Sequence, residues 1–497
     1  MSAKLSRVSL AHLNRQGQQV VRRHPHALLA AIILSGVLLR LLRLDWQDLW
    51  LDEAFSLHIA SLPWSAALAA IRQDVHPPLF YLLLHGWITW LGDSAYALRL
   101  LSAFTGVLTL PALYALGRAL RLERSWSLLL TFLMATAYFP IRFAQETRSF
   151  SLLLLLALLS MLCFVRWLAR RNRWDLLGVL LLTVALVYTH YYGFFLPVVQ
   201  TAWLAWRAPR QRAWLAPWVL LLGVLALAFW PWLAVVKQQA LTLRAVTHQA
   251  PSSLTTIAEL LYRFGGRSFL LAGLCCLLMG LSLRATRAAA PAGSPSRRLP
   301  AALTHAGLLW LWLILPVLIP LLLTNLAATF TYRNAIISVP AFWLLVVAGW
   351  RQVRARRVRG VLLALALTLS LPGLMRYYVE PDKEQWRAAV AWIAQYAEPG
   401  DLLLFDNGPT RQPFDYAARA APATWAQETF PNFEGDPDAV IRRYARRYPR
   451  VWLIATVYGE ARLDWRLGLL TPYYRLQGWM PFTDVMPVLL ERQPGPP

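Results

Sequence analysis

The sequence predicts a polytopic α-helical membrane protein with a small α/β domain at its C-terminal end. Of the 497 residues, 58% are hydrophobic and only 15% are charged, which is unlike the composition of soluble globular proteins. Leucine-rich runs recur between Ala27 and Met375. A helix of about 20 apolar residues crosses a hydrocarbon core of ~30 Å, so these runs predict membrane spans. The sequence after residue 376 has no such run and predicts a separate folded domain.

The positive charge of the chain is explained by membrane topology. The formal net charge is +24, which in a soluble protein would suggest a nucleic-acid partner. Here the Lys and Arg residues cluster in short loops between apolar runs, as they do at the cytoplasmic ends of spans. This pattern argues against a nucleic-acid partner. Cys163, Cys275 and Cys276 all lie in apolar runs, so the sequence offers no disulfide framework.

The number of spans depends on the short apolar run at residues 78–91. This run contains His85 and is shorter than a span, so we predict that it forms an interfacial helix within a first outer loop at residues 45–96. If this run does not span the membrane, 24 Lys and Arg residues lie in loops on the inner side. The other 11 that precede residue 376 lie in the outer loops and in the spans. We therefore predict about eleven transmembrane helices, within a range of 10 to 13. The inner basic clusters are residues 4–23, 118–124, 166–173, 207–212, 284–298 and 351–359.

This topology divides the chain into three parts. Residues 1–26 form a basic cytoplasmic N-terminus, residues 27–375 form the transmembrane domain, and residues 376–497 form a periplasmic α/β domain. The last part contains 15 of the 25 acidic residues. The spacing after Trp386 predicts a helix that ends before Pro399, and Leu402–Phe405, Val451–Val457 and Val488–Leu490 read as strands. A further helix is predicted near Asp436–Arg447, and the strand order stays open.

Polar residues with catalytic potential stand at the outer ends of the predicted spans. Asp52 and Glu53 form an adjacent acidic pair in the first outer loop, and Glu146 and Arg148 lie in a Gln-Glu-Thr-Arg motif. Taken singly, each group also fits a solvated turn or an interfacial anchor. Taken together on one face, they make a set of acids, bases and cations around one cavity. The other members of the set are His76, His190, Tyr191, Tyr192, Tyr332 and Arg333.

The order of these motifs resembles that of family 39 glycosyltransferases of the GT-C superfamily. The carrying residues are Asp52-Glu53, then His-Pro-Pro-Leu from His76, Arg-Leu-Leu-Ser from Arg99, and Gln-Glu-Thr-Arg from Gln145. The family is similar to the protein O-mannosyltransferases and the lipid A aminoarabinose transferases. The resemblance covers residues 40–380, and the ordered set is more specific than any one short motif.

The resemblance implies inverting transfer of a sugar from a polyprenyl-phosphate donor to a hydroxyl acceptor on the periplasmic side of a bacterial inner membrane. It implies that Asp52 is the general base and that Arg333, His190 and Tyr191 contact the leaving phosphate. Family members commonly have Arg-Tyr where this chain has Arg333-Asn334, so the second contact differs.

The resemblance assigns the remaining site residues with less detail. Glu146 and Arg148 are expected to shape the donor or acceptor side, together with His76, Tyr192 and Tyr332. Glu53 would orient the base or join a divalent metal ion, which some relatives bind.

Two other function classes fit part of the sequence. A transporter or lipid flippase would also have many spans and a basic inner face, but ion-coupled transporters carry ionisable groups near the membrane midplane. Such groups are rare at the centres of these spans. An O-antigen-ligase-like enzyme would share the lipid-linked donor, but nothing in its mechanism calls for an adjacent Asp-Glu pair. The acceptor class, whether lipid, glycan or protein, stays open.

Overall fold

The computed structural model describes residues 23–207, 212–246, 254–287, 305–323, 331–421, 425–430, 436–456 and 460–495. Most of the basic N-terminus lies outside these ranges. The chain forms two compact units. The first comprises the chain up to Leu42, Pro63–Trp87 and Arg99–Arg376. The second comprises Arg43–Leu62, Ile88–Leu98 and the chain from Tyr377 onward.

Helices account for nearly all of the described chain before residue 380. Proline, glycine and short polar segments separate the apolar runs. Each run forms a helix and so satisfies the hydrogen bonds of its own backbone groups, as a membrane requires. In chain order the helices are α1 (Pro25–Leu41), α2 (Leu51–Ser61), α3 (Trp64–Gln73), α4 (Leu79–Leu91), α5 (Ala95–Ala119), α6 (Arg124–Thr136), α7 (Tyr138–Ala144), α8 (Phe150–Arg170), α9 (Arg173–Thr189), α10 (Phe195–Arg207), α11 (Leu215–Phe229), α12 (Leu233–Val246), α13 (Leu254–Phe264), α14 (Phe269–Arg287), α15 (Ala306–Leu323), α16 (Val339–Trp350) and α17 (Arg356–Val379).

The described residues contain six helical segments that are long and apolar enough to cross a membrane. Two bent pairs, α6 with α7 and α13 with α14, raise the number to eight if each counts as one span. Helices α1 and α4 are apolar but shorter. The chain is thus a multi-pass membrane protein, and the count of eleven stays a prediction. The six segments are Ala95–Ala119, Phe150–Arg170, Arg212–Leu241, Ala306–Leu323, Tyr332–Trp350 and Arg356–Val379.

The bend between α6 and α7 has a local cause. The two helices meet at 57°, and Ala137 between them is extended. Pro140 cannot donate to the carbonyl of Thr136, and its ring would clash with that carbonyl if α6 continued. In the first turn of a new helix the missing N–H costs nothing. Helix α7 then ends at Ala144, and the Gln-Glu-Thr-Arg motif occupies the turn before α8.

The tail of the second unit is an α/β fold with a five-stranded sheet. Its order is β2-β1-β3-β5-β4, with β1 parallel to β2 and β3, and β5 antiparallel to β3 and β4. The elements are α18 (Trp386–Tyr396), β1 (Leu402–Phe405), α19 (Arg411–Ala417), β2 (Ala426–Thr429), α20 (Pro437–Arg447), β3 (Arg450–Thr456), α21 (Glu460–Leu470), β4 (Tyr474–Trp479) and β5 (Val485–Arg492).

Both faces of the central strands are buried. Leu402 and Leu404 of β1 pack into one apolar cluster, while Leu403 and Phe405 pack into another that includes Trp386. Strands covered on both faces read as continuous apolar runs, which explains why β1 and β3 were predicted from the sequence. The predicted helices at Trp386 and Asp436 are also present. Strands β2 and β4 were missed because most of their side chains are exposed.

Candidate active site

In the first unit, His76 links an acidic and a basic side chain. Its Nδ1 atom lies 3.1 Å from Oδ2 of Asp74, and its Nε2 atom lies 3.1 Å from Nη2 of Arg148. A guanidinium only donates, so Nε2 accepts and Nδ1 carries the ring proton that is donated to Asp74. Tyr81 donates a further hydrogen bond of 2.8 Å to Asp74. Burial raises the pKa of Asp74, but interaction with His76 and the charge of Arg148 outweigh it and lower the pKa to about 2.

His190 lies beside this group in a field of positive charge. Its ring centroid is 5.7 Å from that of His76, and its Nδ1 atom accepts a hydrogen bond of 3.1 Å from the amide of Tyr192. Burial lowers the pKa of His190 well below its ordinary value, and the positive charges of Arg148 and Arg333 lower it further. His190 is therefore neutral, and the two arginines make this part of the first unit electropositive.

Glu146 is fully buried and faces Arg142, a residue outside the set predicted from the sequence. An oxygen of Glu146 lies 3.4 Å from Nη2 of Arg142. Among the described residues, no group donates a hydrogen bond to either carboxylate oxygen. Arg142 also donates to the hydroxyl of Tyr332 at 3.3 Å, and the guanidinium of Arg263 lies 4.4 Å from the centre of the Tyr332 ring. Glu146 and Arg148 thus have different partners.

The two tyrosines after His190 make different contacts. The hydroxyl of Tyr191 donates to Gln239 and accepts a hydrogen bond of 3.0 Å from the indole of Trp232. Tyr192 is hydrogen-bonded to the side chain of Asn334. Asn334 occupies the position where the resembling family commonly has tyrosine. Burial raises the pKa of Tyr191 to about 12, so both tyrosines are neutral near pH 7.

In the second unit, Asp52 and Glu53 lie in the first turn of helix α2. The N-cap residue Trp50 is extended and supplies no side-chain cap. Instead, Oε2 of Glu384 accepts a hydrogen bond of 3.0 Å from the amide of Leu51, the first residue of the helix. The same oxygen accepts from the indole of Trp386. A carboxylate at this end satisfies an orphan N–H and interacts favourably with the helix dipole.

Glu53 forms a buried ion pair with Lys383. The Nζ atom of Lys383 lies 2.9 Å from Oε2 of Glu53, and both side chains are almost completely buried. Asp48 pairs with Arg387 a few residues away, accepting both from its backbone amide and from its guanidinium. Four residue pairs therefore join residues 47–53 to residues 382–387 through hydrogen bonds or ion pairs. They are Gln47 with the amide of Asp382, Asp48 with Arg387, Leu51 with Glu384, and Glu53 with Lys383.

Two cavities of the second unit lie along these contacts. The larger has a volume of about 440 Å³, and the smaller has about 180 Å³. Both are lined by Gln47, Asp48 and Arg387, and Lys383 and Glu384 line the smaller one. Asp52 is half-buried.

A divalent metal ion finds no ligand cluster among the described residues. No group of three His, Cys, Asp or Glu side chains is arranged to hold one there. Glu53, which the resemblance offered as a ligand, pairs with Lys383. Of the other acidic and imidazole side chains of the site, His76 contacts Asp74 and Arg148, and Glu146 faces Arg142. We therefore derive no step through a metal.

Comparison with known proteins supports the fold. No protein-family model and no curated protein sequence matches the chain. Solved structures do match. ArnT from Cupriavidus metallidurans in the apo state superposes with a TM-score of 0.58 at 12% identity, covering 93% of this chain and 97% of ArnT. The same protein bound to undecaprenyl phosphate gives a TM-score of 0.55 with the same identity and coverage.

A third structure extends the comparison to archaea. The oligosaccharyltransferase AglB from Archaeoglobus fulgidus, in complex with an inhibitory peptide and a dolichol-phosphate, gives a TM-score of 0.51 at 12% identity. The alignment covers 94% of this chain and 74% of AglB. ArnT and AglB are GT-C glycosyltransferases, and this chain shares their fold, in agreement with the motif order. At this identity the likeness shows the fold, and activity has to be argued from the sites.

Proposed function

We propose that this protein is an inverting glycosyltransferase that moves a sugar from a polyprenyl-phosphate carrier to a hydroxyl acceptor outside the cytoplasm. The observation that carries the proposal is the electropositive group of the first unit. It contains Arg148 and Arg333 together with His76, the neutral His190 and the carboxylate of Asp74, so positive charge outweighs negative charge among these residues. A lipid phosphate is a fitting occupant because its charge grows as the sugar leaves.

Asp52 is the proposed general base. The acceptor oxygen attacks the anomeric carbon, the bond from that carbon to the phosphate oxygen breaks, and the polyprenyl phosphate departs with the electron pair. The hydroxyl proton passes to the Asp52 carboxylate. General-base assistance contributes about 10² to 10⁴ in rate, and an aspartate carboxylate, whose ordinary pKa is ~3.9, is a weak base. Positioning and electrostatic stabilisation must therefore supply most of the remaining acceleration.

Supporting roles fall to the other site residues. Arg333, His190 and Tyr191 would contact the phosphate, with Arg148 and His76 beside them. Tyr332 would hold Arg142, which in turn faces Glu146. Glu146 would face the donor or acceptor, since its buried carboxylate receives no hydrogen bond from the described residues. Tyr192 and Asn334 would shape the donor or acceptor side of the site. Glu53 would orient the helix that carries Asp52.

A transfer assay with purified protein tests the proposal. Asp52→Asn should abolish transfer from a synthetic polyprenyl-phosphate sugar while the protein stays folded, because the amide cannot accept the proton. Asp45→Asn, which changes an exposed carboxylate of the same loop, is the matched control and should remain active. Turnover by the Asp52→Asn protein at the wild-type rate would refute the assigned base.

Sugar, acceptor and location are further parts of the proposal. Mass spectrometry of lipids and glycans from cells lacking the protein should reveal the acceptor by its missing sugar. The proposed location is a bacterial inner membrane with a cytoplasmic N-terminus, about eleven spans and a periplasmic tail. In a cysteine-free background, Ala95→Cys should react with a membrane-impermeant maleimide from outside. Labelling only after permeabilisation would contradict this topology.

A further inference from the structure

The first turn of helix α2 is held by a residue more than 300 positions away in sequence. Trp50 offers no capping side chain, so the amide of Leu51 depends on Oε2 of Glu384 for its hydrogen bond. Asp52 is the next residue along the helix. A change in the angle of the first turn would therefore displace the Asp52 carboxylate directly.

Glu384 is itself held in place. It is 1% exposed, and the indole of Trp386 donates to the same oxygen that caps the helix. Trp386 is completely buried against the sheet of the second unit. The packing of that sheet therefore fixes Trp386, Trp386 fixes Glu384, and Glu384 fixes the start of the helix.

We infer that Glu384 is a positioning residue for the proposed glycosyl transfer, acting by capping helix α2 and aligning Asp52. The inference rests on the proposed function and adds a residue that neither the motifs nor the resemblance assigned. A catalytic group misplaced by about 1 Å loses on the order of 10² in rate. The contribution of Glu384 should therefore appear in kcat and leave donor binding nearly unchanged.

The surroundings of Glu384 also predict a pH signature. Burial raises its pKa, the hydrogen bonds from Trp386 and Leu51 oppose this, and the charges of Asp52 and Asp484 raise it, giving about 7. The other charged groups that line its cavity are already paired, Lys383 with Glu53 and Asp48 with Arg387.

The ionised form is the stronger acceptor for the helix amide. Protonation as pH falls through about 7 should weaken the cap and lower kcat. Above that pH the carboxylate is ionised and the cap is at full strength. The acid limb of the kcat profile should therefore have its midpoint near pH 7.

The test compares Glu384 with Asp401, a buried carboxylate that accepts the same two kinds of hydrogen bond and in addition lies 3.4 Å from the guanidinium of Arg450. Asp401 accepts from a backbone amide, that of Glu398, and from an indole, that of Trp452, but caps no catalytic helix. Glu384→Ala should lower kcat about 10- to 100-fold with a donor KM within about two-fold of wild type. Glu384→Gln keeps an acceptor oxygen and should recover part of the rate, but its profile of kcat against pH should lack the acid limb near pH 7. Asp401→Asn should keep both the rate and the limb.

Amide hydrogen exchange at Leu51 provides a readout that needs no turnover. Exchange should accelerate in full-length Glu384→Ala and stay unchanged in Asp401→Asn. Unaltered Leu51 exchange, or a pH limb that persists in Glu384→Gln, would overturn the inference. A different outcome is that Glu384→Ala accelerates Leu51 exchange but the wild-type protein transfers no sugar. That outcome would refute the proposed function and leave the anchoring of helix α2 by Glu384 established.

Discussion

Replacing Glu53 alone should destabilise the second unit far more than replacing Glu53 and Lys383 together. The two side chains are 0% and 2% exposed, and their charged atoms are 2.9 Å apart. Glu53→Gln removes the carboxylate that lies 2.9 Å from the buried ammonium of Lys383, and breaking a buried ion pair in this way costs about 3–5 kcal/mol.

The double variant Glu53→Gln/Lys383→Met removes both charges and keeps the volume nearly constant. Such replacements are often neutral or stabilising. The exposed pair Arg411–Asp415 is the control, since both side chains are about half exposed. Asp415→Asn should change stability by less than about 1 kcal/mol.

Hydrogen exchange in the purified full-length protein measures these differences. Amides of β1 and β3, which exchange only when the sheet opens, should exchange roughly 10²- to 4 × 10³-fold faster in Glu53→Gln, since about 1.4 kcal/mol is a factor of ten. The double variant should return close to wild type. Equal acceleration in the single and double variants would show that the pair is not coupled and would refute the reasoning.

Two further substitutions test the first unit. Arg148→Lys keeps the charge but loses the planar guanidinium, so the KM for the donor should rise about 10-fold. Arg419→Lys, in the exposed ion pair with Asp93, is the control and should not change this KM. Equal KM values for the two variants would remove Arg148 from the donor site. Gly349→Ala would place a methyl group against the carbonyl oxygen of Leu278, where α16 packs on α14, and should cost about 1–3 kcal/mol or prevent folding. Gly223→Ala, where a Cβ meets nothing within 4 Å, should be tolerated, and equal thermal stability of the two variants would contradict the packing described.

Much of the architecture followed from local patterns. Apolar runs predicted membrane helices because a segment that crosses the membrane must satisfy its own backbone hydrogen bonds, which an α-helix does. Leu402–Phe405 and the start of β3 were predicted because strands buried on both faces are apolar at every position. The exposed strand Ala426–Thr429 has no comparable signal, and only its pairing with β1 identifies it as a strand.

The sequence by itself determined the fold class, the GT-C resemblance and a set of candidate polar residues, including Asp52, His76 and Arg148. Only the tertiary structure decided which side chains meet. Lys383 lies 330 residues from Glu53, and Glu384 lies 333 residues from Leu51. A helix cap normally comes from the N-cap side chain, and Trp50 does not provide one. Since contacts at such separation leave no periodic or local signal, the residues that hold helix α2 became visible only in the folded chain.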